Sequence, residues 1–352
     1  MKHQLSLPAL LQMKKTALYL LRFSVLAFPL LLGACASDQN REGSGIIKLR
    51  FSTVGVPRDA HTLCLYTFKE ELERSTAGRV KVEIFHSGQL FTQESEQLAV
   101  RRGTVAMVYT GAHWLAEHVP YFSMFTMGYL FKDYSHMARV FNGSLGERLF
   151  EDVARKIGVR PLGAFYLGTR QLNLRDTGHA VRRPEDLKGV KLRMPNSPSW
   201  LFLGQALGAN PTTISFSELY MALKTGTVDG QDNPLPTTYN AKFYEVAKYI
   251  VLTGHLVHAV FPCINEGVWR KLDPELQGQV RLAIEQSRQV CDSLNLKAET
   301  ELIDYFKSRG VIVSEPDREA FKQHVRKQYL ENEKLVGDWD QALFREVEAL
   351  AE

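Results

Sequence analysis

The chain has 352 residues, 45% of them hydrophobic, and carries 43 Lys plus Arg against 39 Asp plus Glu, a formal net charge of +4. Four of the basic residues, Lys2, Lys14, Lys15 and Arg22, lie in the first 34 positions, where no acidic residue occurs, so 39 of each sign remain beyond them. A neutral body excludes the basic face that nucleic-acid binding needs, and the roughly 318 residues past that leader predict two domains.

The leader contains Lys14-Lys15, an apolar run from Thr16 to Ala34 broken only by Arg22, and Leu32-Gly-Ala-Cys35. A basic region, a short apolar region and small residues before a cleavage point predict a signal peptide over 1–34. A cysteine at the next position resembles a bacterial lipobox, so Cys35 is expected to be the lipidated first residue, anchoring a periplasmic protein to a bacterial membrane. Met13 is an alternative start, with Met1 to Gln12 as an atypical prefix.

Beyond the leader, strand and helix signals alternate. Strands are predicted at Ile47–Ser52, Arg79–Phe85 and Val105–Tyr109, and helices near Ala60–Ser75 and Glu94–Arg102. Alternation in Val190, Leu192 and Met194 predicts a strand that turns Lys191 and Arg193 to its other face, with Arg193 next to its end because Pro195 cannot continue the ladder. In open α/β sheets that end faces the ligand crevice, where a guanidinium fork matches a carboxylate. Ser215-Phe-Ser-Glu218 reads as a capping box, Leu219 to Lys224 as a helix stopped by Gly226, and Thr227 to Asp232 as a strand ending at Asn233-Pro234. Gly103-Thr-Val and Gly226-Thr-Val each close a helix and open a strand, an echo that suggests two similar halves.

These residues closely resemble the solute-binding subunits of TRAP transporters, the tripartite ATP-independent periplasmic systems. The resemblance rests on Pro184-Glu-Asp-Leu-Lys-Gly-Val-Lys-Leu-Arg193, Gly208-Ala-Asn-Pro211, Phe216-Ser-Glu-Leu-Tyr220 and Val228-Asp-Gly-Gln-Asp-Asn-Pro234, in family order and spacing. It implies an α/β fold of the two-domain periplasmic binding protein kind (class II-like), with hinge strands, a ligand cleft between the domains and a long bridging helix around Leu276 to Leu302. The implied boundaries are 46–167 plus 259–298 for domain I and 168–258 plus 299–352 for domain II. It also implies that Arg193 pairs with a ligand carboxylate, that Arg170 lies near the same oxygens, that Asn233 and Asn196 hydrogen-bond the ligand, and that Phe216 packs against it. Two arginines in one cleft would repel without an anion between them. Small and large membrane subunits are the implied partners, joined in some relatives by a helical-repeat periplasmic lipoprotein. No cofactor is implied.

The chain departs from the family after Gln89-Leu90, where Phe91-Thr-Gln-Glu-Ser95 replaces a glycine and a charged stretch. Phe91, with Tyr109, Trp114 and Trp200, either makes a pocket more apolar or, for most of these aromatics, belongs to the ordinary core. Phe91 in place of a small residue, and Glu94, which would repel a second carboxylate, make the expected ligand a monocarboxylate with an apolar or weakly polar body. Tyr109 and Glu94 therefore join the candidate ligand-binding residues. Lipidation of Cys35 leaves Cys64, Cys263 and Cys291, of which at least one stays unpaired and Cys263 with Cys291 is the candidate disulfide. No spacing suggests zinc, and His255-Leu-Val-His258 reads as buried strand rather than a metal pair. The alternatives are a lipid-anchored binding or sensing protein for an apolar ligand, and a carboxylate-processing enzyme. The enzyme reading finds no Gly-x-Ser-x-Gly elbow, Walker loop or His-Glu-x-x-His.

Overall fold

One mixed sheet of ten strands organises the residues that the computed structural model describes, 45–352. The predicted signal peptide and Cys35 lie outside them. The strands are β1 (Ile47–Ser52), β2 (Val80–Phe85), β3 (Met107–Gly111), β4 (Val159–Pro161), β5 (Phe165–Leu174), β6 (Lys191–Met194), β7 (Asn210–Thr213), β8 (Gly230–Pro234), β9 (Tyr249–Asn265) and β10 (Ile312–Ser314). The order runs β2-β1-β3-β9-β5-β8-β6-β7, with β4 and β10 also paired to β9. Parallel β1, β2 and β3 fill one end, and β6 lies parallel to β7 and β8 at the other. Between them run the antiparallel strands β5, of 10 residues, and β9, of 17.

The first helix, α1 (Ala60–Ser75), buries Ala60, Cys64, Leu65, Phe68 and Leu72, the i, i+4 stripe of an amphipathic helix. That stripe packs with Leu49, Phe51, Val82 and Met107 against a 35-residue helix, Pro274–Ser308. Asp273 caps the long helix, accepting from the Leu276 amide at 2.8 Å, and Pro274 occupies its first turn. Leu276, Val280, Ala283, Ile284 and Cys291 join the α1 core, while Leu302 and Phe306 join a second cluster with Leu235, Tyr244 and Ile250. The helix therefore links cores at both ends of its length.

The long helix also pins β5. The pairing of β5 with β9 shifts register between Tyr166 and Gly168 and again between Arg170 and Leu172, and a bulge leaves ladder groups unpaired. Asp292 accepts from the Tyr166 amide at 2.7 Å, Asn295 donates to the Tyr166 carbonyl at 2.7 Å, and Glu299 accepts from the Thr169 amide at 2.5 Å. Gly168 has φ 124°, and a Cβ there would lie 2.6 Å from that of Pro234. Only glycine suits both conditions.

Three local expectations change. The Thr227 and Val228 amides both bond the Ala222 carbonyl and so complete the helix C-terminus, which delays β8 to Gly230. The Ser215 hydroxyl donates to Glu218 Oε2 at 2.6 Å instead of accepting from the backbone, and Phe216–Glu218 forms a 3₁₀ turn rather than a capping box. Cys263 and Cys291 are free thiols in different cores, because alternate residues of β9 face opposite sides of the sheet and Ile264, not Cys263, faces the α1 core.

Candidate functional site

A cavity of about 120 Å³ takes one wall from the segment after β1 (Thr53 to Gly55), α1, α2 (Gln93–Arg101), β3 and α3 (Ala112–Ala116), and the other from β5, β6, β8, β9 and the helix Pro198–Ala206. The C-terminal end of β6 delivers Arg193. Leu192 and Met194 turn to the core, and Arg193 on the opposite face is only 1% exposed. Its Nε donates to the Ile214 carbonyl at 2.7 Å, which fixes the fork, while Nη2 is buried and unpartnered. Burial pulls the guanidinium down to about 10, so it stays charged at neutral pH.

Arg170 is engaged differently. Its Nε donates to Asp232 Oδ2 at 2.7 Å, Nη2 reaches the Asp232 carbonyl and Asn233 Oδ1 at 2.6 and 3.0 Å, and Nη1 lies 3.0 Å from His258 Nδ1. The guanidinium also lies over the Trp200 ring, 4.4 Å from its centroid. Burial would raise the Asp232 carboxyl, but Arg170 and His255 outweigh it and hold it well below the usual range. The expected repulsion between two arginines is therefore relieved by a built-in counter-ion, which leaves Arg193 as the cation with a free donor. His255 and His258 serve this network, His255 Nε2 lying 3.1 Å from Asp232 Oδ2.

The other predicted residues divide. Asn233, Phe216 and Tyr109 line the cavity. The Asn233 amide bonds Arg170 and Gln231, and the Tyr109 hydroxyl donates to the His61 carbonyl at 3.1 Å. Asn196 and Glu94 line a neighbouring depression instead. Asn196 is exposed because Pro195 turns the chain before Ser197 caps the next helix, and on α2 it is Gln93 and Glu96, three residues apart, that face the cavity. Phe91 lies in a third depression, outside the cavity.

Sequence reasoning missed His61, Gln93, Glu96, Thr110 and His113. His61 and His113 follow β1 and β3 at their carboxyl ends, and that position was the signal available. Among the described residues nine buried side-chain polar atoms lack a partner, and seven belong to this lining: His61 Nε2, Gln93 Oε1, Thr110 Oγ1, both His113 ring nitrogens, Arg193 Nη2 and Trp200 Nε1. Burial lowers His61 to about 4 and His113 and His258 well below the usual histidine range, so all three are neutral at pH 7. Burial likewise pushes Glu96 well up. The walls offer one free cation and many neutral hydrogen-bonding groups, which does not suit the apolar body expected from Phe91.

Asp59, at the start of α1, is pushed up to about 6 by burial against the opposing Val56 amide. The native state thus holds this proton more tightly than the unfolded chain. The resulting stability is full below about pH 4 and falls as pH rises toward 6. Asp59→Asn removes the titration, so its stability relative to the native protein should grow between pH 4 and pH 7. Thermal unfolding at four pH values checks this, and a constant difference would contradict it.

Comparison with known proteins places these features in context. Residues 51–335 match the family described as bacterial extracellular solute-binding protein, family 7, DctP. The chain is 32% identical over 268 residues to the sialic acid-binding periplasmic protein SiaP of Vibrio cholerae, covering 76% of this chain and 83% of that one. A TRAP periplasmic solute-binding protein of Roseobacter denitrificans, solved with bound 3-deoxy-D-manno-oct-2-ulosonic acid, superposes with a TM-score of 0.83 at 38% identity, covering 87% of this chain and all of the other. A second from the same organism, with bound L-galactonate, gives 0.79 at 31% identity and covers 87% and 99%.

Proposed function

Because the chain belongs to the bacterial extracellular solute-binding proteins of family 7, the DctP family, we propose that its cavity captures a polyhydroxylated monocarboxylate for a TRAP transporter. The protein is a periplasmic solute-binding subunit that works with TRAP membrane subunits. The observation that carries the ligand class is the set of six unpartnered polar atoms around one guanidinium that itself has a free Nη2. Arg193 takes the carboxylate, and the hydroxyls meet His61, Gln93, Thr110 and His113. Each neutral imidazole offers one donor and one acceptor, which matches a hydroxyl's own pair. The Asp59 carboxyl, ionised above about pH 6, faces the same space and disfavours a second carboxylate. Sialic acid, 3-deoxy-D-manno-oct-2-ulosonic acid and L-galactonate, named for the relatives, share one carboxylate with several hydroxyls.

Binding without turnover follows from this reading: the site holds a charge in place. Capture works by closure of domain I (46–167 plus 259–298) on domain II (168–258 plus 299–352), with β5 and β9 as hinges and the long helix behind them. Contacts completed only in the closed cleft supply the driving force. Cys35 is the proposed lipid anchor, and Asn233 acts by holding Arg170 rather than by touching the ligand.

Titration calorimetry against hexonates, uronates, succinate, malate, pyruvate and branched 2-oxo acids tests the reading. Tight binding confined to the hydroxylated monoacids is expected. A response confined to succinate, malate or the oxo acids would overturn it. His113→Phe should keep the ring's volume while removing both nitrogens. It should cost about 1–3 kcal/mol with a hydroxylated acid and much less with an analogue deoxygenated at the contacted position. Equal losses for both would remove His113 from the hydroxyl-binding set.

A further inference from the structure

The three buried thiols are used by nothing in the binding site, and their placement is uneven. Cys64 on α1 and Cys291 on the long helix are wholly buried in one apolar cluster, whereas Cys263 belongs to the cluster across the sheet. The Ser287 hydroxyl, one turn before Cys291 on the same helix face, donates to the Cys64 carbonyl at 2.6 Å and so clamps the two helices together at the cysteines. Cys291 follows Ser287 by one helical turn, so the bond that seats Ser287 on the Cys64 backbone also brings Cys291 beside α1 at this point. Both lie behind the cavity wall, since α1 presents His61 to the cavity one turn before Cys64.

We propose that Cys64 and Cys291 form a disulfide in the mature periplasmic protein, leaving Cys263 as the free thiol. The oxidant is a protein disulfide of the thiol oxidase class, which an oxidising extracytoplasmic compartment supplies. One cysteine thiolate attacks a sulfur of that disulfide and displaces a thiolate, forming a mixed disulfide. The second cysteine thiolate then attacks the first cysteine's sulfur, closing the Cys64–Cys291 bond and releasing the oxidant as a dithiol. Two protons and two electrons thereby pass from the pair to the oxidant. Burial pushes the Cys291 thiol well above its ordinary range, and both thiols are wholly buried in the native state, so the bond must close while the chain is still open. Once closed it ties the helix that carries Asp59 and His61 to the helix that braces β5.

The test uses the full chain exported to the periplasm, unfolded in a denaturant with an alkylating reagent, and peptide-mapped. A Cys64–Cys291 linked peptide with alkylated Cys263 is expected. Alkylation of all three cysteines, or a link that includes Cys263, would overturn the proposal. Protein refolded with glutathione disulfide should also melt on the order of 5–10 °C above protein refolded with excess thiol. The Cys64→Ser, Cys291→Ser double variant should show no such difference. If that variant does not fold, the peptide map alone decides.

Discussion

Replacing Arg193 by alanine is expected to weaken binding of a hydroxylated monocarboxylate by about 2–5 kcal/mol, roughly 30- to 4,000-fold in Kd, with the fold intact. The size of the effect follows from the surroundings. The guanidinium is 1% exposed, its Nε is held by the Ile214 carbonyl, and Nη2 has no protein partner, so its free edge is aimed and already desolvated. Arg170 cannot substitute, because Asp232, Asn233 and His258 occupy its donors. Arg193→Lys should recover little, since an ammonium on a flexible stem can neither bond Ile214 in the same way nor present a planar fork. Calorimetry giving near-native affinity for both variants would refute the assignment.

Asp232→Ala is expected to be the most damaging single change to the fold, at about 3–5 kcal/mol. Asp232 is wholly buried between Arg170 and His255, and its removal leaves a guanidinium in the interior without its counter-ion. Removing both charges together should cost less than removing the acid alone, because the penalty lies in the stranded charge rather than in the lost pair. Asp232→Leu combined with Arg170→Met is the variant that shows this in urea unfolding. Equal or greater destabilisation of the double variant would contradict it. The pH dependence has the opposite sign to that of Asp59. The Asp232 carboxyl is depressed in the native state, so its contribution is full above the unfolded value of about 3.9 and is lost as pH falls below it.

The contrast between Arg193 and Arg170 marks how far the sequence could be read. Alternation around Leu192 and Met194 put Arg193 on the face opposite the core and at the end of its strand, and a short strand leaves little room for another outcome. The helix Ala60–Ser75 and the strand Ile47–Ser52 were legible for the same reason, a periodic apolar stripe between clear stops. The role of Arg170 was not legible, because Asp232 and His255 reach it only through pairing of β5 with β8 and β9, and no local pattern encodes that register. Glu94 and Glu96 differ by two residues, which is about 200° around a helix, so a small error in placing α2 exchanges a surface carboxylate for a cavity one. His61 and His113 carried no periodic signal. Only the rule that ligands gather at the carboxyl ends of strands would have selected them.

The most direct test is a crystal structure of the protein with the tightest-binding acid from the calorimetric panel. The account predicts one carboxylate accepting from Arg193 Nη2, with hydroxyls on the His113 ring nitrogens and on Thr110 Oγ1, and with the Arg170 to Asp232 pair unchanged. A ligand whose carboxylate lies away from Arg193, or whose insertion breaks Arg170 from Asp232, would contradict it.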